Sequence, residues 1–266
     1  MDREYLVNQI KTKQSYLCVG LDTDIEKIPP HLQSHPDAIF EFNKQIIDAT
    51  KDLCVGYKIN TAFYESVGAK GWHDIEKTVN YIPSTHFKIA DAKRGDIGNT
   101  SYQYAKAFFE TLPFDAITVA PYMGRDSVKP FLDYPNKWTI VLGLTSNPGS
   151  EDFQQQKLKD NFLYEEVIMR TAEWGTPNNL MFVVGATKSE EIASIRKILP
   201  DHFLLIPGVG FQGGSLSEVS KYGLNKDCGL LVNVSRAIIY ASNHENFAAE
   251  ARQIALQYQT EMKNYL

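Results

Sequence analysis

Short apolar runs rich in Val, Ile and aromatic residues recur along the chain, each closing on Gly, Pro, Asp, Asn, Ser or Thr or their neighbours. They are YLCVGLD (16–22), VGYKIN (55–60), THFKIAD (85–91), AITVAP (116–121), WTIVLGLT (138–145), LMFVVGA (180–186), FLLIPGV (203–209) and GLLVNVS (229–235), eight in all. Continuous apolar runs, rather than strict alternation, indicate strands covered on both faces, hence a parallel sheet joined by crossover helices. Amphipathic stretches at 37–51, 100–112, 161–175, 189–199 and 244–258 supply such helices. Eight units of this kind predict an α/β fold, a single-domain (β/α)8 barrel over residues 1–266, with a doubly wound open sheet as the alternative. The longest connection, 146–179, begins SNPGSEDFQQQ, polar and turn-forming, which suits a mobile lid.

Composition narrows the function more than the fold. With 43% hydrophobic residues in 266, the chain can bury a large core. The formal charge of −5, with both signs interleaved, leaves no basic stripe for nucleic acid, so an anionic ligand needs a local pocket. The N-terminal MDREYLVNQIKTKQ is too charged for a signal peptide, and no apolar run approaches the roughly 18 residues of a membrane span; a cytoplasmic protein is expected. Cys18, Cys54 and Cys228 lack C-x-x-C spacing and adjoin apolar runs, as buried small hydrophobes do. His31 and His35 are four apart, but Pro29, Pro30 and Pro36 break any helix that would align them on a metal.

In a (β/α)8 barrel the chemistry sits at the C-terminal ends of the strands. The residues closing the runs are Asp22, Lys58 with Asn60, Asp91 with Lys93, Pro121, Thr145 with Ser146, the stretch from Pro207 to Gly210, and Ser235 with Arg236. Four charges at three consecutive strand ends are costly to gather unless they compensate one another around a ligand. Strand alternation points Asp91 and Lys93 the same way, about 6.6 Å apart along the backbone. Lys58 reaches Asp91 from the preceding strand, giving a Lys–Asp–Lys array that keeps each ammonium protonated. An ammonium held so is a poor Schiff-base nucleophile and a well-placed proton donor, suited to protonating a carbanion. Asp96, beyond Gly95, turns away toward the next helix.

The run PGVGFQGGS (207–215) contains G-x-G-x-x-G at Gly208, Gly210 and Gly213. A dinucleotide fingerprint is rejected, because the motif lies late in the chain and position 233 is Asn where an acid is needed. The loops after the seventh and eighth strands instead suit a phosphate, held by backbone N–H groups with Gln212 and Arg236 as side-chain donors.

Taken together, D-A-K-R-G-D-I at 91–97, Y-K-I-N at 57–60, G-L-D at 20–22, S-N-P-G at 146–149, P-G-V-G-x-Q-G-G at 207–214 and Ser235–Arg236 resemble orotidine 5′-phosphate decarboxylase, in the longer-chain branch of that family. The resemblance runs from the first strand to the last. It implies a homodimeric barrel that converts orotidine 5′-monophosphate to uridine 5′-monophosphate without metal or organic cofactor. Lys93 would protonate C6, Asp91 would lie against the departing carboxylate, and Lys58 would orient Asp91 and contact the ribose. Asp22 would bind ribose hydroxyls; Asp96, Ile97 and Thr100 would enter the partner subunit's pocket. Ser146, with Thr145 nearby, would read the pyrimidine edge, Pro207 would line the site, and Gln212, Arg236 and the backbone from Gly208 to Gly210 would grip the phosphate. Two rival readings are a magnesium-dependent relative resembling 3-keto-L-gulonate 6-phosphate decarboxylase and a non-catalytic nucleotide-binding barrel. Lys58 beside Asp91 argues against the first, since a metal needs that carboxylate free.

Overall fold

The computed structural model describes residues 1–210 and 213–266. Eight strands close into a barrel: β1 Leu17–Gly20, β2 Gly56–Asn60, β3 Phe87–Arg94, β4 Ala116–Val119, β5 Trp138–Leu144, β6 Leu180–Val184, β7 Phe203–Pro207 and β8 Leu230–Val234. Each pairs in parallel with its sequence neighbours, and β8 returns to β1 through Leu17–Val232 and Val19–Val234, so no edge is left open. The open-sheet alternative is thereby excluded. Every strand matches one of the apolar runs to within a few residues.

Phe87, Trp138 and Phe203, the first residues of β3, β5 and β7, meet edge-on inside the barrel at ring-centroid distances of 6.0 and 6.3 Å. Alternate strands filling one layer is the packing a barrel of this size demands. The helix Arg3–Lys13 lies against this lower end, where Trp138 Nε1 donates to the Met1 carbonyl at 2.8 Å and the Arg3 guanidinium covers the Phe203 ring. The bottom is therefore a sealed core, and an open cavity remains at the opposite end.

The three cysteines are buried and unpaired, as expected. Within the long connection, a short 3-10 turn (Pro148–Glu151) and a two-residue hairpin (Lys157–Leu158 with Asn161–Phe162) precede the helix Leu163–Ala172.

His86 and His202 sit buried just ahead of β3 and β7, at the sealed end. His86 Nε2 lies 2.7 Å from both Lys13 Nζ and the Lys51 carbonyl, and Lys13 also donates to the carbonyls of Lys51 and Cys54, so a protonated ring would face a cation at contact distance. Burial and the Lys13 charge push His86 down to about 4; burial with Arg3 and Arg196 does the same for His202. Below the ordinary histidine value of 6.5 the unfolded chain takes up protons that the folded chain refuses. Stability contributed by these rings is thus present above 6.5 and lost as pH falls toward about 4. The urea midpoint should drop across that window, and His202→Leu should flatten the drop; an unchanged slope in the variant would remove His202 from the effect.

Candidate functional site

Polar side chains at the C-terminal ends of the strands surround a cavity of about 300 Å³. On its floor, Lys58 Nζ donates to Asp91 Oδ2 at 2.8 Å and lies 3.4 Å from Asp22 Oδ1, while Lys93 Nζ donates to Asp91 Oδ1 at 2.6 Å. One carboxylate thus separates two ammonium groups, each on its own oxygen. Burial alone would push Asp91 up, but Lys58 and Lys93 outweigh it and hold the carboxyl well below the usual carboxylate range. Burial likewise works against a charged Lys58, and Asp22 and Asp91 reverse that, lifting it above an ordinary lysine. Lys58 is therefore a fixed cation. Lys93, with half its side chain exposed, is the ammonium that faces incoming ligand.

Local backbone chemistry sets these positions. The β3–β4 register jumps from Ala90–Ile117 to Arg94–Val119, so four residue steps of β3 run against two of β4. Lys93 sits in this bulge with φ +46°, in the left-handed region. Simple alternation, the basis for expecting Asp91 and Lys93 on one face, therefore fails here; the bulge is what swings the lysine back onto Asp91. Thr118, buried on β4, donates to Asp91 Oδ1 at 3.1 Å and accepts the Lys93 N–H at 2.9 Å. On the first loop, Tyr64 and Tyr240 donate to the carbonyls of Leu21 and Asp22, bracing Asp22. A Cβ on Gly20 would come within 2.7 Å of Ser235 Cβ, so glycine lets β1 approach the start of the helical turn Arg236–Ile239, where the Ser235 hydroxyl donates to the Gly20 carbonyl.

Of the residues anticipated from sequence, Asp22, Lys58, Asp91, Lys93, Thr145, Ser146, Pro207, Gly208, Ser235 and Arg236 all line the one cavity. Gly210 does not: its N–H donates to the Gly214 carbonyl, so it is not offered to a ligand as expected. Gln212 lies outside the described residues. Asp96, Ile97 and Thr100 are also absent from the wall; the Asp96 carboxylate accepts the Ile97 N–H at 2.8 Å, and Ile97 and Thr100 are exposed. Sequence reasoning missed Thr118 and the apolar wall formed by Leu142, Val183 and Leu205, and, behind the wall residue Thr145, Gln154. Gln154 accepts the Thr145 N–H at 2.8 Å and donates to its hydroxyl, tying the long connection to the end of β5. Only a polar residue in a loop already read as a lid could have hinted at it.

Chemically, the site offers one buried and one half-exposed ammonium group, a carboxylate kept ionised between them, and a rim built from the β7 and β8 loops with a guanidinium. Such a cavity can hold an anionic ligand at the rim and deliver a proton to charge developing near Lys93.

Residues 15–252 match the model of the family described as Orotidine 5′-phosphate decarboxylase / HUMPS. The chain is 60% identical over 265 residues to the orotidine 5′-phosphate decarboxylase of Flavobacterium johnsoniae, covering 98% of this chain and 97% of the relative. It is 57% identical to that of Bacteroides fragilis, covering 100% and 98%. Among solved structures, OMP decarboxylase from Leishmania donovani superposes with a TM-score of 0.84 at 35% identity, over 99% of both chains.

Proposed function

The chain belongs to the Orotidine 5′-phosphate decarboxylase / HUMPS family, and from that premise we propose how its own residues carry out the reaction. The protein is a carboxy-lyase that decarboxylates orotidine 5′-monophosphate to uridine 5′-monophosphate in pyrimidine biosynthesis. The observation that carries the site assignment is the array of Lys58, Asp91 and Lys93, alternating in charge at the cavity floor.

The bond from C6 to the carboxylate breaks, its electron pair stays on C6, and carbon dioxide leaves. That pair is poorly conjugated with the ring, so it must be stabilised electrostatically, and an ammonium within hydrogen-bond reach does this. Lys93 then gives C6 a proton and recovers one from solvent. Asp91, ionised throughout, holds the ammonium and aims it; Lys58 holds Asp91. The apolar wall of Leu142, Val183 and Leu205 lowers the local dielectric and strengthens these forces. Asp22 takes ribose hydroxyls, Thr145 and Ser146 take the pyrimidine edge, and Pro207, Gly208, Gln212, Ser235 and Arg236 take the phosphate end. With both Asp91 oxygens already on ammonium groups, a magnesium-dependent reading is not favoured.

Residues 1–266 act as one domain, in the cytoplasm; no helix among the described residues is long and apolar enough to cross a membrane. Two copies pair, with Asp96, Ile97 and Thr100 completing the partner's site. Supporting this, Ile97, Tyr122 and Met123 leave exposed apolar surface beyond β3 and β4, beside the cavity mouth.

The test is the absorbance change on mixing orotidine 5′-monophosphate with catalytic protein: many turnovers are expected, and binding without product would leave only a nucleotide-binding barrel. Arg236→Ala should lower kcat/KM for the nucleotide by about 10²-fold while leaving the bare nucleoside nearly unaffected. Equal losses on both would take Arg236 out of the phosphate subsite.

A further inference from the structure

We propose that Thr118 is a positioning residue for the proton-delivering lysine, its hydroxyl locking the Asp91 carboxylate and the Lys93 backbone into one geometry. The inference rests on the decarboxylase reading above and adds a residue that no sequence motif marks.

Thr118 falls opposite the bulge in β3, between the paired positions Ile117 and Val119, and has no ladder partner on β3. Its side chain does what the ladder does elsewhere. The hydroxyl oxygen accepts the Lys93 N–H at 2.9 Å, and the single hydroxyl proton goes to Asp91 Oδ1 at 3.1 Å. That same oxygen takes Lys93 Nζ at 2.6 Å. One hydroxyl thus ties both ends of the lysine, its backbone directly and its ammonium through the carboxylate.

Two costs explain why such a tie is needed. A lysine at φ +46° occupies a region that L-residues with side chains rarely adopt, so the conformation persists only if its surroundings fix it. Lys93 is also half exposed on a flexible four-carbon stem, and misplacing a reacting group by about 1 Å can cost on the order of 10²-fold in rate. Removing the hydroxyl leaves a part-buried N–H and a carboxylate lone pair unmatched, and loosens the carboxylate on Lys58.

The decisive comparison is Thr118→Val, which keeps the shape and loses the hydroxyl, against Thr118→Ser, which keeps the hydroxyl. In Thr118→Val, kcat should fall by about 10- to 100-fold while KM and the Kd for uridine 5′-monophosphate stay within about threefold. Thr118→Ser should retain kcat to within about threefold. Near-normal kcat in Thr118→Val, equal loss in both variants, or loss of nucleotide binding in step with kcat would each overturn the assignment. Wild-type protein in the same assay separates the two claims: no turnover there removes the decarboxylase reading and this inference with it, whereas a fast wild type beside an equally fast Thr118→Val removes this inference alone.

Discussion

Lys93→Ala is expected to lower turnover of orotidine 5′-monophosphate by on the order of 10⁴-fold or more, because it removes a general acid and an electrostatic stabiliser in one step. The fold should survive. Lys93 has 51% of its side chain exposed, and Asp91 keeps its 2.8 Å contact with Lys58, so the truncation buries no orphan charge. Circular dichroism and the melting temperature should therefore match wild type while kcat collapses. Lys93→Arg sharpens the test: a guanidinium restores positive charge but does not surrender its proton. It should bind uridine 5′-monophosphate as the wild type does without regaining turnover. If Lys93→Ala turned over substrate at close to the wild-type rate, the proton would have to come from elsewhere, and the reading of the Lys58, Asp91 and Lys93 array would fail.

How much of this was legible in the sequence follows from which forces act locally. Parallel strands covered on both faces must be apolar along their length, so β1 to β8 stood out as runs, and their closing residues marked nine of the polar side chains that converge on the cavity. Other elements hid for identifiable reasons. The helix Arg3–Lys13 buries only Leu6 and Ile10, too thin a stripe to read. The helix Ala69–Tyr81 contains Gly71, which looks like a breaker; its Cβ would sit 1.7 Å from the Tyr64 carbonyl, so glycine is there for close packing. The helix Arg125–Leu132 carries Pro130. Within the site, Thr118 and the turn of Lys93 depend on the register between β3 and β4. A period of two along one strand carries no information about a bulge against its neighbour, so alternation gave the right partners through the wrong geometry.

Mixing Asp96→Ala subunits with Lys93→Ala subunits, each nearly inactive alone, should restore activity to about a quarter of wild type. Random exchange makes half of all dimers mixed, and each mixed dimer has one site whose Lys93 and incoming Asp96 are both intact. Where Asp96 points decides the outcome. It lies just past Gly95, yet its carboxylate accepts the Ile97 N–H and takes no part in the wall of its own cavity. If Asp96 instead served its own chain's site, every site in a mixed dimer would carry one lesion, and mixing would restore nothing. A tagged subunit, co-purified with its untagged counterpart, establishes that exchange has occurred. Recovery that grows with the mixed fraction places Asp96 across the interface; exchange without recovery returns it to a purely local role at the start of the helix Gly98–Lys106.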